Sequence, residues 1–178
     1  MPGWNCMAEI EKGFKKWMSP DHIGKAGRRV KRIRLVTNII GLVLIFGYAL
    51  TLAILWKNIP QRVATHFNAL GEADAFGSKS SLLLEFLLLI GIFLLLAVIE
   101  RFPSAWNFPV RMTVENRGRL LLIGAVMLGA LKILVVGLFI YAGLSSIFPG
   151  SHVWPMYVLI ALTVIVIVGG LVCSIKAR

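Results

Sequence analysis

Four apolar runs, each close to the length that crosses a bilayer, constrain this chain more than any other feature of its sequence. They cover residues 36–56, 81–99, 120–141 (continuing toward 147) and 153–175. A hydrocarbon core about 30 Å thick is crossed by roughly 20 helical residues. Inside it every backbone polar group must be satisfied within the segment, so such runs become helices. The whole chain agrees with this. Of its 178 residues, 58% are hydrophobic and 15% charged, and one small core in water would leave too much apolar surface exposed. The expected fold is all-α, a polytopic membrane protein with a bundle of four transmembrane helices. Isolated glycines within the runs do not break them, because in lipid glycine lets helices approach closely. Ala125 and Gly129 have the small-xxx-small spacing of such a contact.

Charge sets the expected orientation. Nine Lys/Arg precede Val36, four lie in the 101–119 loop (Arg101, Arg111, Arg117, Arg119) and two close the chain (Lys176, Arg178). The opposite side holds Lys57, Arg62 and Lys79, while Lys132 falls inside a run. Basic residues stay on the cytoplasmic side. Both termini and the 101–119 loop are therefore expected in the cytoplasm of a cell membrane, and the 57–80 loop outside. The first apolar run starts only at Leu35 and is of full length, so it reads as a retained span rather than a cleaved signal. The division expected is a cytoplasmic basic tail at 1–34 and a four-helix membrane domain at 35–178.

Within the tail, Ile10, Phe14, Trp17 and Met18 share one face of a short helix with lysines between them, the pattern of an interfacial helix. Ser19-Pro20 ends it. Residues 25–34 then carry six basic side chains and no acid, which draws the tail to anionic lipid at about 1 kcal/mol per charge. Nucleic acid is not the expected partner, since no helix-turn-helix, zinc or RNA-binding signature accompanies the charge. Cys6 and Cys173 are placed too far apart in the sequence pattern to read as a bridge, and no Cys/His spacing fits zinc.

The outer loop, Asn58 to Lys79, reads as compact and ordered. Pro60 stiffens its start, Asn68 and Gly71 tolerate left-handed turns, and Asp74 can accept backbone N–H bonds. A serine among Ser78, Ser80 and Ser81 can cap the second span. The pattern His66-Phe67-Asn68-x-x-Gly71-Glu72-x-Asp74-x-x-Gly77-Ser78-Lys79 resembles a bacterial membrane domain of unknown function. That domain forms the N-terminal part of SdpI-type proteins, which give immunity to a secreted killing peptide. A second block, Pro103, Asn107, Pro109, Val110, Thr113, Glu115 and Asn116, resembles the family's stretch after the second span. Together the blocks cover about residues 55–120. The chain departs from the pattern at Ala64, Ala75 and Phe76, where the family favours proline, glycine and tryptophan. It also lacks the family's downstream Asn-x-x-x-Gly-x-Arg-Thr type of segment. The resemblance implies a receptor-like or immunity-like protein that engages a secreted peptide or a lipid at its outer face. The residues it points to are His66, Asn68, Gly71, Glu72, Asp74 and Lys79.

Several residues admit more than one role. His66, Glu72 and Asp74 are ligand types for a divalent ion, yet no second histidine is in reach, so no metal is assigned. The same residues can tie the loop together by hydrogen bonds or recognise a ligand directly. Lys132 is the costliest residue, since an unpaired cation deep in a span costs about 2.5–3.5 kcal/mol on insertion scales. Glu85 lies in the second span roughly 6 Å below its outer end. The two are expected to pair, as an ion pair locking two helices or as part of a polar cavity under the outer loop. In the cytoplasmic loop Thr113 is the expected N-cap of the third helix, with Glu115 in its first turn and Pro103 and Pro109 keeping the chain before it extended. Asn107 and Asn116 complete that block.

No catalytic constellation and no cofactor motif is present: no Gly-x-Ser-x-Gly, no phosphate-binding glycine loop and no HExxH. An enzyme is therefore the least favoured class. The alternative to a receptor is a small transporter or channel subunit, with Glu85 and Lys132 on a polar path and several copies assembled as a homo-oligomer.

Overall fold

The computed structural model of the chain describes residues 20–148 and 152–177; the amphipathic stretch at 10–18 lies outside them. Helix α1 spans Pro20–Leu55 and is kinked at Gly24, where φ is 44°. From Ala26 onward it runs unbroken for 30 residues. The basic run and the first apolar run are thus one helix. No proline or capping glycine interrupts residues 26–55, so the border near residue 34 is a change of surroundings and not of backbone. A two-stranded antiparallel hairpin follows, β1 (Arg62–Phe67) and β2 (Ala73–Ser78). Then come α2 (Ser81–Ile99), a short 3-10 turn (Pro103–Ala105), α3 (Arg117–Ile147) and α4 (Trp154–Lys176). All four helices are long and apolar enough to cross a membrane. The chain is an integral membrane protein of helical architecture, and the ordered 58–79 loop is a β-hairpin.

Helix α3 is the hub. Helix α1 lies along it in the same direction, and the seam between them is built from small residues. Gly118 faces Ala26, Gly129 faces Thr37 and Gly143 faces Tyr48, while Ala125 is fully buried with Val30. Steps of four, seven, eleven and fourteen residues keep these positions on one face of each helix. The Ala125–Gly129 pair therefore sits in the α1–α3 contact, where a side chain on Gly129 would strike Thr37. Helix α2 closes the other side: Gly41 of α1 lies against the Phe93 ring, and Leu89, Phe93 and Val136 are buried in the shared core. Helix α4 rests chiefly on α3, with Gly170 against Met127. Its one buried residue among those described is Ser174. An apolar helix so exposed would aggregate in water; in a bilayer its outer face meets acyl chains.

The hairpin explains itself locally. Arg-Val-Ala-Thr-His-Phe is rich in residues that favour strands, and its pairing register runs from Arg62↔Ser78 to Phe67↔Ala73 with an irregularity around Thr65. Asn68 organises the turn: its Oδ1 accepts from the N–H groups of Leu70 and Glu72, both at 2.9 Å. Gly71 supplies the left-handed step, φ 82°, that a side chain would resist. Val63 and Ile59 are buried in the helical core, which anchors the hairpin's base across α1, α2 and α3. Its tip reaches α4, where the Tyr157 hydroxyl donates to the Ala69 carbonyl.

The 101–116 loop departs from expectation. Pro103 opens a 3-10 turn instead of holding the chain extended. Trp106 folds back, donating to the Ile99 carbonyl at 3.0 Å, with its ring against Gly124. Helix α3 begins at Arg117, not directly after Thr113. The two residues form a reciprocal bracket ahead of the helix. Asn116 Oδ1 accepts from the Thr113 N–H at 2.8 Å, and Thr113 Oγ1 accepts from the Asn116 N–H at 3.3 Å. Asn116 is buried and also donates to the Arg111 carbonyl, so its side chain is spent on fastening the loop ahead of the helix.

Candidate functional site

The conspicuous residues of the 58–79 loop spend their hydrogen bonds on the hairpin and on the chain at its base. His66 Nδ1 and Asp74 Oδ1 lie 2.5 Å apart, with side chains 68% and 45% exposed. Asn68 Nδ2 donates to Glu72 Oε2 at 2.9 Å. Lys79 reaches down, its Nζ 3.5 Å from the Trp56 carbonyl and 5.1 Å from the centre of the Trp56 ring. Among the described residues no group of three His, Cys, Asp or Glu side chains could hold a metal ion. These side chains shape and fasten the loop.

Beneath the hairpin is a cavity of about 200 Å³. Ala64, Thr65 and Phe67 of β1 form its roof; Ser81, Leu82 and Glu85 of α2 and Ala142 and Ser146 of α3 form its walls. Along and behind its walls polar atoms are left without partners. Glu85 Oε1 and the Tyr48 hydroxyl are both buried and make no hydrogen bond among the described residues. Gly143 holds them close, because a methyl group at that position would collide with the Tyr48 hydroxyl and with Glu85 Oε2. Tyr48 is fixed by an edge-on contact with Phe86, ring centres 5.9 Å apart. An unsatisfied buried polar group costs about 1–3 kcal/mol. The protein retains this arrangement in a space that holds a handful of waters at about 30 Å³ each.

At the other end of the same seam is a second polar cluster, and it is closed. Lys132 does not pair with Glu85. Its Nζ donates to Glu100 Oε2 at 2.6 Å and to Asn38 Oδ1 at 2.5 Å, with the Lys132 and Glu100 side chains 0% and 1% exposed. The Phe93 ring lies 5.6 Å from the same nitrogen, and Arg34 donates to the Glu100 carbonyl at 2.7 Å. The reason is the register of α3. Gly143, not Lys132, stands level with Glu85, and the two α3 positions are about 16 Å apart along the axis. Lys132 therefore turns its stem toward the α2 C-terminus. Ile45, Leu89, Phe93 and Val136 are buried in the core, so apolar packing separates the two clusters and Glu85 and Lys132 share no polar path.

Neither Glu100 nor Asn38 was expected from the sequence. Each left a trace there: Asn38 is an amide inside an apolar run, and Glu100 is the first charge after the second run. In the 101–116 loop, Asn107 and Pro109 line a small space against Gly124, Leu128 and Leu171 of the helices. Thr113 and Asn116 form the bracket described above. Glu115 is exposed, and its carboxyl is held below the ordinary carboxylate range by the Thr113 hydroxyl first and by its own backbone N–H second.

A family model described as "Domain of unknown function (DUF1648)" matches residues 42–99. The match runs from the middle of α1 through the hairpin to the end of α2, so it contains His66 to Lys79 and Glu85 but stops short of the Asn107–Asn116 block. No curated protein and no solved structure matches the chain.

Proposed function

We propose that this chain recognises a peptide or lipid at the outer face of a cell membrane, by admitting one hydrogen-bond-donating or cationic group of that ligand to Glu85. The observation that carries the reading is the cavity under the hairpin, which Glu85 lines with its Oε1 buried and unpartnered, beside the equally unpartnered Tyr48 hydroxyl. Orientation follows the basic residues: fifteen on the side of the termini and the 101–119 loop against three on the hairpin side, which puts the hairpin outdoors. Ligand pockets for whole small molecules are about 300–1,000 Å³. A space of about 200 Å³ takes one protruding group, such as a lysine tip or an amine, while the rest of the ligand stays over the exposed hairpin. The loop's resemblance to SdpI-type immunity proteins supports a secreted peptide as that ligand. A pore is the weaker reading, because buried Leu89, Phe93 and Val136 interrupt the polar route.

The test is expression in a bacterium sensitive to secreted killing peptides, comparing the wild type with Glu85→Gln. The reading expects protection by the wild type and at least tenfold weaker protection by Glu85→Gln at equal membrane abundance. No protection against a panel of such peptides, or equal protection by both proteins, overturns it.

A further inference from the structure

A cleft of about 460 Å³ opens beside the closed cluster, at the end of the bundle away from the hairpin. Its walls are Lys31, Arg34 and Asn38 of α1 and Ala97, Glu100 and Arg101 at the end of α2. Three cations face a single carboxylate there, and that carboxylate is already neutralised by Lys132. Among the described residues neither the His66–Asp74 nor the Lys132–Glu100 ion pair involves Lys31, Arg34 or Arg101, and these three cations have no acidic partner there. Arg34 uses one nitrogen on the Glu100 carbonyl, which fixes its guanidinium at the cleft and leaves further donors in the fork. Glu100 Oε1, buried within the same wall, accepts no hydrogen bond. One helical turn toward the hairpin from Asn38 and Ala97 stand Leu42 and Leu94, 54% and 55% exposed, so the polar cleft runs into an apolar strip.

We propose that this cleft is a binding site for the headgroup of an anionic, hydroxyl-bearing glycerophospholipid. Its phosphate lies between Lys31, Arg34 and Arg101, a headgroup hydroxyl donates to Glu100 Oε1, and an acyl chain follows Leu42 and Leu94. Guanidinium groups match phosphate oxygens in pairs, and basic pockets between membrane helices recognise phospholipid heads by this chemistry. The site is separate from the Glu85 cavity, so either proposal stands or falls without the other.

The test uses the delipidated full-length chain in detergent and native mass spectrometry. The probes are phosphatidylglycerol, phosphatidylcholine, glycerol 3-phosphate and inorganic phosphate. Phosphatidylglycerol is expected to bind at least tenfold more tightly than phosphatidylcholine. The double variant Lys31→Gln/Arg101→Gln loses roughly 10- to 30-fold of that affinity, from about 1 kcal/mol per charge. Lys57→Gln/Arg62→Gln, which removes the same charge at the hairpin end, keeps it. Should the first double variant not purify folded, Arg101→Gln alone is expected to lose about fivefold. Equal loss in both double variants would reduce the effect to bulk charge and overturn the proposal. So would displacement of the lipid by either soluble phosphate at equal concentration, which would mark a soluble phosphate ligand instead.

Discussion

Two carboxylates, each with a buried oxygen, sit at opposite ends of one helical seam, and their surroundings differ in a way that separates structure from function. Glu100 is held by Lys132, with Asn38 Oδ1 accepting a second hydrogen bond from the same ammonium. Glu85 has the Tyr48 hydroxyl and the Gly143 backbone beside it, a cavity above it and no counter-charge. The ion pair offsets the desolvation of the first carboxylate, although Glu100 Oε1 also lacks a partner; the second has no ion pair and leaves that cost outstanding until something enters. Charge inside a span is therefore not by itself a site. Lys132, the most conspicuous residue in the sequence, is the committed one.

The largest effect is expected where the closed cluster is opened. Lys132→Met leaves Glu100 buried and unpaired, which costs about 3–5 kcal/mol, and the protein should fail to accumulate in membranes or unfold at far lower denaturant. Adding Glu100→Leu should restore most of the loss, since an apolar pair of similar volume avoids the desolvation penalty. A Lys132→Met protein of wild-type stability would break the contrast. Next comes Gly143→Ala, whose methyl group presses on Tyr48 and Glu85. Overpacking of this kind costs about 1–3 kcal/mol, and the variant should also lose any protection that depends on Glu85.

Smaller effects belong to the surface. His66→Ala removes an exposed pair worth at most about 1 kcal/mol, so the hairpin should keep its protease resistance, and a collapse of that resistance would show that the pair holds the roof in place. Smallest is the response of Glu115 to pH. Its folded pKa lies below the ordinary value of 4.5, so its contribution to stability is complete above that value and is lost as pH falls through the lower, folded one. Thr113→Val removes the main cause of the depression. The acid limb of the unfolding midpoint should then flatten relative to the wild type.

The four helices were legible because the bilayer demands a length of apolar chain that few other structures produce. The hairpin turn was legible as well: Asn68 and Gly71 do what their chemistry allows. The pairing of β1 with β2 was not. A six-residue strand carries little periodicity, and this one depends on Val63 and Ile59 being buried in the helical core. The partner of Lys132 was misplaced for a related reason. Hydropathy locates the edges of a span only loosely, and the register of α3 against α1 and α2 is set by small residues meeting large ones: Gly129 on Thr37, Gly143 on Tyr48, Gly41 on Phe93. A slip of a few residues along such a seam changes which carboxylate a lysine can reach. The cavity itself could not be read from the sequence, since its walls come from three elements that only packing brings together.

The most direct measurement is side-selective labelling of Glu85→Cys in intact cells, on a background carrying Cys6→Ser and Cys173→Ser. A small membrane-impermeant thiol reagent added outside should modify this position through the hairpin-roofed opening, while the same reagent should leave Asn38→Cys untouched until the cells are permeabilised. Labelling of Asn38→Cys from outside with Glu85→Cys protected would contradict the account at its root, because it would place the closed cluster outdoors and the open one within.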